Sequence, residues 1–182
     1  SFEVWEREVG ALQEVQRAIM RLGKPLIAAV RGYAVGGGCE FAMSCDIRIA
    51  AKDAHFGFPE TGVGLTVTTA GTKLLSHLVG LGKAKELVFT GDFIDADEAA
   101  RIGLVNRVVP GDDLMEEALA IARKISGRSP LALRLSRSAI EQGLHSSFEQ
   151  TLELEASQIL ACVGDGRYVE YVERRVEEMA KR

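Results

Sequence analysis

The stretch GYAVGGGCEFAMSCD, residues 32–46, sets one carboxylate, Glu40, into an otherwise apolar run just after three consecutive glycines. A carboxylate buried there is costly unless something compensates it, and no Lys or Arg lies between Arg31 and Arg48 to do so. The glycines Gly36, Gly37 and Gly38 leave no side chain between backbone and ligand. An N–H of Gly37 or Gly38 can therefore point at an anionic oxygen, and a helix beginning there adds the positive end of its dipole. This is the geometry of an oxyanion hole, or half of one. The same residues also suit a tight strand-to-helix turn with no ligand, and Glu40 also suits a first-turn acid favoured by the helix dipole.

Twenty residues on, Glu60 sits in FPETGVG, where Pro59 stiffens the backbone and Gly62 and Gly64 permit close approach to a ligand. A lone loop glutamate is ordinarily solvated surface. Two carboxylates at the ends of neighbouring strand-loop units, facing one oxyanion donor, can hold a water and move a proton beside an activated carbonyl. The candidate catalytic groups are Glu40, Glu60 and an N–H of Gly37 or Gly38, with Gly36, Gly38, Pro59 and Gly64 as candidate substrate contacts.

The elements that must position these groups follow from the pattern around them. Residues 2–22 carry Val9, Leu12, Ile19 and Leu22 at helical spacing until Gly23 and Pro25 stop the pattern. LIAAV (26–30) and DIRIA (46–50) read as strands separated by the glycine turn and a short helix, which implies α/β. A loop holds FGFPETGVG, then helices over 72–79 and 83–90 flank GLG, and a short helix from Asp95 ends at Gly103 before the strand LVNRVVP. Only these three strands are legible. After Pro110 the pattern is all helix, with stripes on Leu114, Ala118, Ile121 and Ile125, on Phe148, Leu152, Ile159 and Val163, and on Val169, Val172, Val176 and Met179. A domain boundary is placed at 110–113, dividing an α/β part (1–110) from a helical part (111–182). Those stripes exceed what so small a core can cover, so part of them is expected to meet another subunit.

Composition narrows the function classes. At 182 residues and 47% hydrophobic the chain can bury one sizeable core, and a net charge of −4 argues against nucleic acid as a partner. Charged residues interrupt every apolar stretch, so no membrane association is expected, and a cytoplasmic or organelle-matrix setting fits. Cys39, Cys45 and Cys162 lack metal or redox spacing and read as reduced core residues; the three histidines are scattered, and no metal or redox cofactor is implied. GLGK (80–83) fails as a phosphate loop, since His77 stands at the first glycine position. The basic run Arg123, Lys124, Arg128, Arg134 and Arg137 suits either a ligand's phosphates or a solvated face, and His55 either a pocket wall or an ordinary strand end. Asp46 reads as a backbone acceptor at a strand start.

Three segments, KPLIAAVRGYAVGGGCEFAMSCDIRIAAKDAHFGFPETGVGL, FTGDFIDADEAARIGLVNRVVP and YVERR, run in one register from Lys24 to Arg175 and resemble the enoyl-CoA hydratase/isomerase, or crotonase, family. The resemblance implies a β-β-α spiral core with a helical C-terminal region, acyl-CoA thioester substrates, a place in fatty-acid metabolism, and assembly as a homotrimer or a hexamer. It places one oxyanion N–H at Gly37 and a hydratase acid/base pair at Glu40 and Glu60, which hold a water for addition across C2=C3, with Glu60 delivering the proton to C2. The second oxyanion donor belongs to an A-G-x-D type loop in an N-terminal third that lies outside these residues. The family pattern G-x-x-P-G-x-G-G-T reads GLTVTTAGT here, with Val67 and Thr68 in place of Pro-Gly, and the tail lacks the usual Pro-x-Phe ending. The expected activity is that of an enoyl-CoA hydratase; an enoyl-CoA isomerase using one acid, and a non-catalytic assembly subunit, are the alternatives.

Overall fold

A computed structural model describes residues 1–180. Phe2–Arg21 form α1, ended by Gly23 at φ +66° and by Pro25. The apolar run that follows is β1 (Ile27–Val30), and Gly32, at φ +67°, bends the chain straight into β2 (Tyr33–Val35) and on to α2 (Gly37–Ser44). The motif then repeats. β3 (Ile47–Ala51) turns through residues 52–54 into β4 (His55–Gly57), which leads through a 3-10 turn (Pro59–Val63) and a loop to α3 (Gly71–Val79). β1 runs parallel to β3, Ile27 opposite Ile47, and β2 parallel to β4, Tyr33 opposite His55. Each repeat therefore lays one strand in each of two sheets before adding its helix, which is the expected β-β-α spiral.

Gly80, at φ +79°, separates α3 from α4 (Leu81–Thr90). β5 (Ile94–Asp95) pairs antiparallel with β4, Asp95 caps α5 (Ala96–Arg101) by accepting from Glu98 N at 2.8 Å, and Gly103 takes the left-handed conformation expected of it. β6 (Arg107–Val109) then joins β3, giving sheets ordered β1-β3-β6 and β2-β4-β5. The core includes Cys39, Met43, Ala50, Phe56, Phe58 and Leu75. Burial of each aromatic contributes roughly 1.5–3 kcal/mol.

Two polar anchors hold the end of α2. Asp46 accepts from Leu26 N at 2.7 Å, as expected. Arg48 is buried and donates to the carbonyls of Leu104 at 2.7 Å and Cys45 at 2.5 Å, so a cation meets the carbonyl end of the helix. Burial lowers the guanidinium's proton affinity from its usual level.

The structure corrects the sequence reading at three points. β2, β4 and β5 are strands where a turn and loops were expected, because two or three residues are too few to show alternation. The apolar stripe of α1 faces inward only in part: Val9 and Ile19 are half-buried, Leu12 and Leu22 are exposed, and the polar Gln16 is the residue buried most deeply. The segment 110–113 is a turn inside the first of two compact units, which comprises Ser1–Leu22 and Leu26–Ala122; the division falls within α6 (Leu114–Ser126), after Ala122.

The second unit holds Gly23–Pro25 and the chain from Arg123 on. In it α7 (Pro130–Gly143), capped by Ser129, packs on α8 (Phe148–Gly164), which opens with a Ser147–Gln150 capping box, and α9 (Tyr168–Ala180) follows. Phe148, Leu152, Ile159 and Val163 of α8 and Val169, Val172, Val176 and Met179 of α9 are exposed. No described helix is long and apolar enough to cross a membrane.

Candidate active site

The turn into α2 explains why glycine is needed at its first position. Gly36 sits at φ +53°, ψ −123°, and donates to Gly57 O at 2.9 Å, which ties the ends of β2 and β4 together. A Cβ there would lie 2.7 Å from Glu60 Oε1. Gly37 is half-buried and Gly38 exposed, and a Cβ on either would meet nothing within 4 Å. As the first residues of a helix their N–H groups have no carbonyl one turn earlier, so unbonded donors border open space.

Glu60 follows Pro59 in the 3-10 turn, where Thr61 Oγ1 donates to Val88 O of α4 at 2.9 Å and fixes the turn. Gly64 closes the turn at φ +74° and is exposed; its glycine is required by backbone conformation rather than by a close neighbour. One oxygen of Glu60 lies over Gly36. The other, Oε2, is buried and has no protein partner among the described residues.

Glu40 is 1% exposed and finds its compensation in backbone amides rather than a cation. Its Oε1 accepts from Thr69 N at 2.7 Å and Gly71 N at 2.9 Å, and Oε2 has a longer contact of 3.4 Å with Thr68 N. These donors lead into α3, so the helix dipole adds to hydrogen bonds worth roughly 1.5–3 kcal/mol each to a charged acceptor. Two of them converge on one oxygen because Ala70, between them, is at φ +65°, the one non-glycine residue with positive φ among those described. Such strain collects at functional sites. Thr69 Oγ1 is likewise buried without a protein partner.

Cys39 reports on both acids at once. It is fully buried, and its thiol is pushed up from 9.0 to about 12, first by burial and then by the negative charges of Glu40 and Glu60. Between about pH 9 and 12 the native state therefore holds a proton that the unfolded chain releases. This contribution to stability is complete below about pH 9 and is lost as pH rises toward 12. At pH 8, alkylation of the native protein read by mass spectrometry should modify half-buried Cys45 and Cys162 well before Cys39; equal rates at all three would contradict the burial argument.

The structure thus brings Gly36, Gly37, Glu40 and Glu60 together around the start of α2, while Gly38 and Gly64 are exposed at its margin. His55 stacks on Tyr33 with ring centroids 5.0 Å apart. Among the described residues no group of His, Cys, Asp and Glu is arranged to hold a metal. The reading from sequence missed Thr69 and Gly71, whose contribution is made by main-chain atoms, and the only signal for them was the glycine of the 64–72 pattern.

A profile of the enoyl-CoA hydratase/isomerase family matches residues 7–177. The crotonyl-CoA hydratase of Syntrophomonas wolfei is 50% identical over 157 residues, covering 86% of this chain and 60% of that protein. The crystal structure of enoyl-CoA hydratase from Bacillus anthracis superposes with a TM-score of 0.94 at 35% identity, covering 98% of this chain and 69% of that one. A protein of Thermobifida fusca YX solved in complex with CoA gives a TM-score of 0.86 at 32% identity, over 91% and 64% of the two chains. The family profile spans most of the chain and the fold superposes on these structures over nearly its whole length: the chain belongs to the enoyl-CoA hydratase/isomerase family. It spans less than two thirds of the length of the curated hydratase it matches.

Proposed function

We propose that the protein containing this chain is an enoyl-CoA hydratase that adds water across the C2=C3 bond of a 2-enoyl-CoA thioester. The observation that carries this reading is the placement of Glu60 over Gly36, beside the unbonded N–H groups of Gly37 and Gly38, with Glu40 at the first turn of the same helix. The Gly37 N–H stabilises the thioester oxygen as it gains charge. The amide bonds on Oε1 hold the Glu40 carboxylate still, leaving Oε2 to take a water proton, and Glu60 has one oxygen without a protein partner. The water oxygen bonds to C3 as Glu40 takes one of its protons, the protonated Glu60 gives its proton to C2, and proton exchange then returns both acids to their starting states. CoA arrives as part of the substrate and no other cofactor is invoked; the CoA complex of the Thermobifida fusca neighbour and the hydratase activity of the Syntrophomonas wolfei relative support the substrate class.

One observation favours a second reading. Glu40 already accepts two short amide bonds, whereas Glu60 is the freer acid, which suits double-bond migration by a single acid. Incubating a crotonyl-type thioester in heavy-oxygen water separates the two: hydration places the label at C3, and migration without label supports the isomerase. We also propose assembly as a trimer or hexamer, which the apolar faces of α8 and α9 exposed in the single chain support, and a setting in a cytoplasm or organelle matrix. Sedimentation at micromolar concentration should show the oligomer; a stable, active monomer would refute it.

A further inference from the structure

Two glutamines on α1, far from Glu40 in sequence, reach both halves of the cradle that holds it. Gln16 is 7% exposed, and its Nε2 donates to Ser44 Oγ, which in turn donates to the main-chain oxygen of Glu40 at 2.7 Å. Gln13, one helical turn earlier on the same face, donates from Nε2 to Thr68 O at 3.1 Å. Thr68 opens the segment whose amides at 68, 69 and 71 hold the Glu40 carboxylate. One side chain thus grips the helix from which Glu40 projects, and the other grips the loop on which its carboxylate rests. Stability alone does not account for this arrangement. Gln16 Oε1 is buried with no partner, a cost that an apolar residue of the same length would avoid.

We infer that Gln13 and Gln16 are positioning residues that fix the Glu40 carboxylate by clamping α2 and the 68–71 segment to α1. This inference rests on the reading of Glu40 as part of a hydratase site. Neither side chain touches the reacting atoms in this scheme. Each acts through main chain, Gln16 through α2 and Gln13 through the segment that Ala70 holds in a strained conformation, so releasing either lets the carboxylate and its donors drift apart. Misplacing a reacting group by about 1 Å costs up to about 100-fold in rate.

The test is Gln13→Met and Gln16→Met, singly and together, in the full-length native protein. Methionine keeps the length, the helix propensity and the packing while removing the donor. Each single variant is expected to lower kcat by roughly tenfold, and the pair by up to about 100-fold, with KM and melting temperature little changed. In a Glu40→Gln background the same substitutions should produce no further loss, because the group they position is no longer the reacting one. Unchanged turnover in the double variant, or an equal loss in the Glu40→Gln background, would overturn the clamp. Amide hydrogen exchange at Thr69 and Gly71 provides a readout independent of chemistry, and it is expected to speed up in the double variant. If the unmodified protein fails to hydrate 2-enoyl-CoA, the hydratase reading falls; the exchange rates then decide the clamp by themselves, unchanged protection refuting it and faster exchange supporting it.

Discussion

Replacing Glu60 or Glu40 by glutamine in the full-length protein is expected to lower turnover on a 2-enoyl-CoA by about 10²–10⁴-fold each, the usual worth of a positioned general acid or base. KM should change little, because neither carboxylate belongs to the CoA-binding part of the scheme. The variants should differ in their side effects. Glu60 bears one oxygen with no protein partner, so an amide is accommodated there with little effect on the fold. Glu40 Oε1 receives two main-chain N–H groups, and an amide nitrogen turned toward them would oppose donor to donor. Glu40→Gln should therefore also lower the melting temperature. Wild-type rates in both variants would remove the hydratase assignment. Loss in Glu60→Gln alone would support the single-acid isomerase.

The second large effect is expected at Gly71, a residue that never touches substrate in this scheme. A Cβ there would lie 2.6 Å from Glu40 Oε1 and 2.7 Å from both Glu40 Cγ and Val67 Cγ1. Gly71→Ala must therefore displace a buried carboxylate from its donors. Overpacking alone costs about 1–3 kcal/mol, and each lost hydrogen bond to a charged group roughly 1.5–3 kcal/mol more. Thermal unfolding should show the loss at roughly 2–4 °C per kcal/mol, with activity reduced as well. Adding Glu40→Ala should recover part of the stability, because the clashing side chain is gone. A Gly71→Ala protein as stable as the unmodified one would show that the cradle yields freely.

Which of these features could be read from the sequence follows from how each residue acts. Glu40 was legible because an acid among Cys39, Phe41, Ala42 and Met43 violates the ordinary partition of charge, and Glu60 because Pro59 and the following glycines shape its turn. Gly71 and Thr69 act through main-chain N–H groups across a separation of about thirty residues, which no side-chain pattern encodes. Gln13 and Gln16 look like ordinary polar positions of an amphipathic helix, although Gln16 shares the inward side of α1 with half-buried Val9 and Ile19. The two-residue β5 and three-residue β2 and β4 exist because the fold brings them side by side as one sheet, not because their own residues alternate. The helical half was legible in element type, since stripes such as Leu114, Ala118 and Ile121 need only local periodicity, and those three are indeed buried.

Ala70 has a consequence for how sharply Glu40 is aimed. A glycine at this position would rest in the left-handed conformation without penalty, whereas alanine there gives up roughly 1–2 kcal/mol. Glycine also wanders between positive and negative φ, and the peptide planes on either side would swing with it. Alanine, once the surroundings have forced it across, sits in a narrow well with steep walls. The lost stability is thereby converted into angular precision, with the N–H groups of Thr69 and Gly71 confined to a small arc around one oxygen atom.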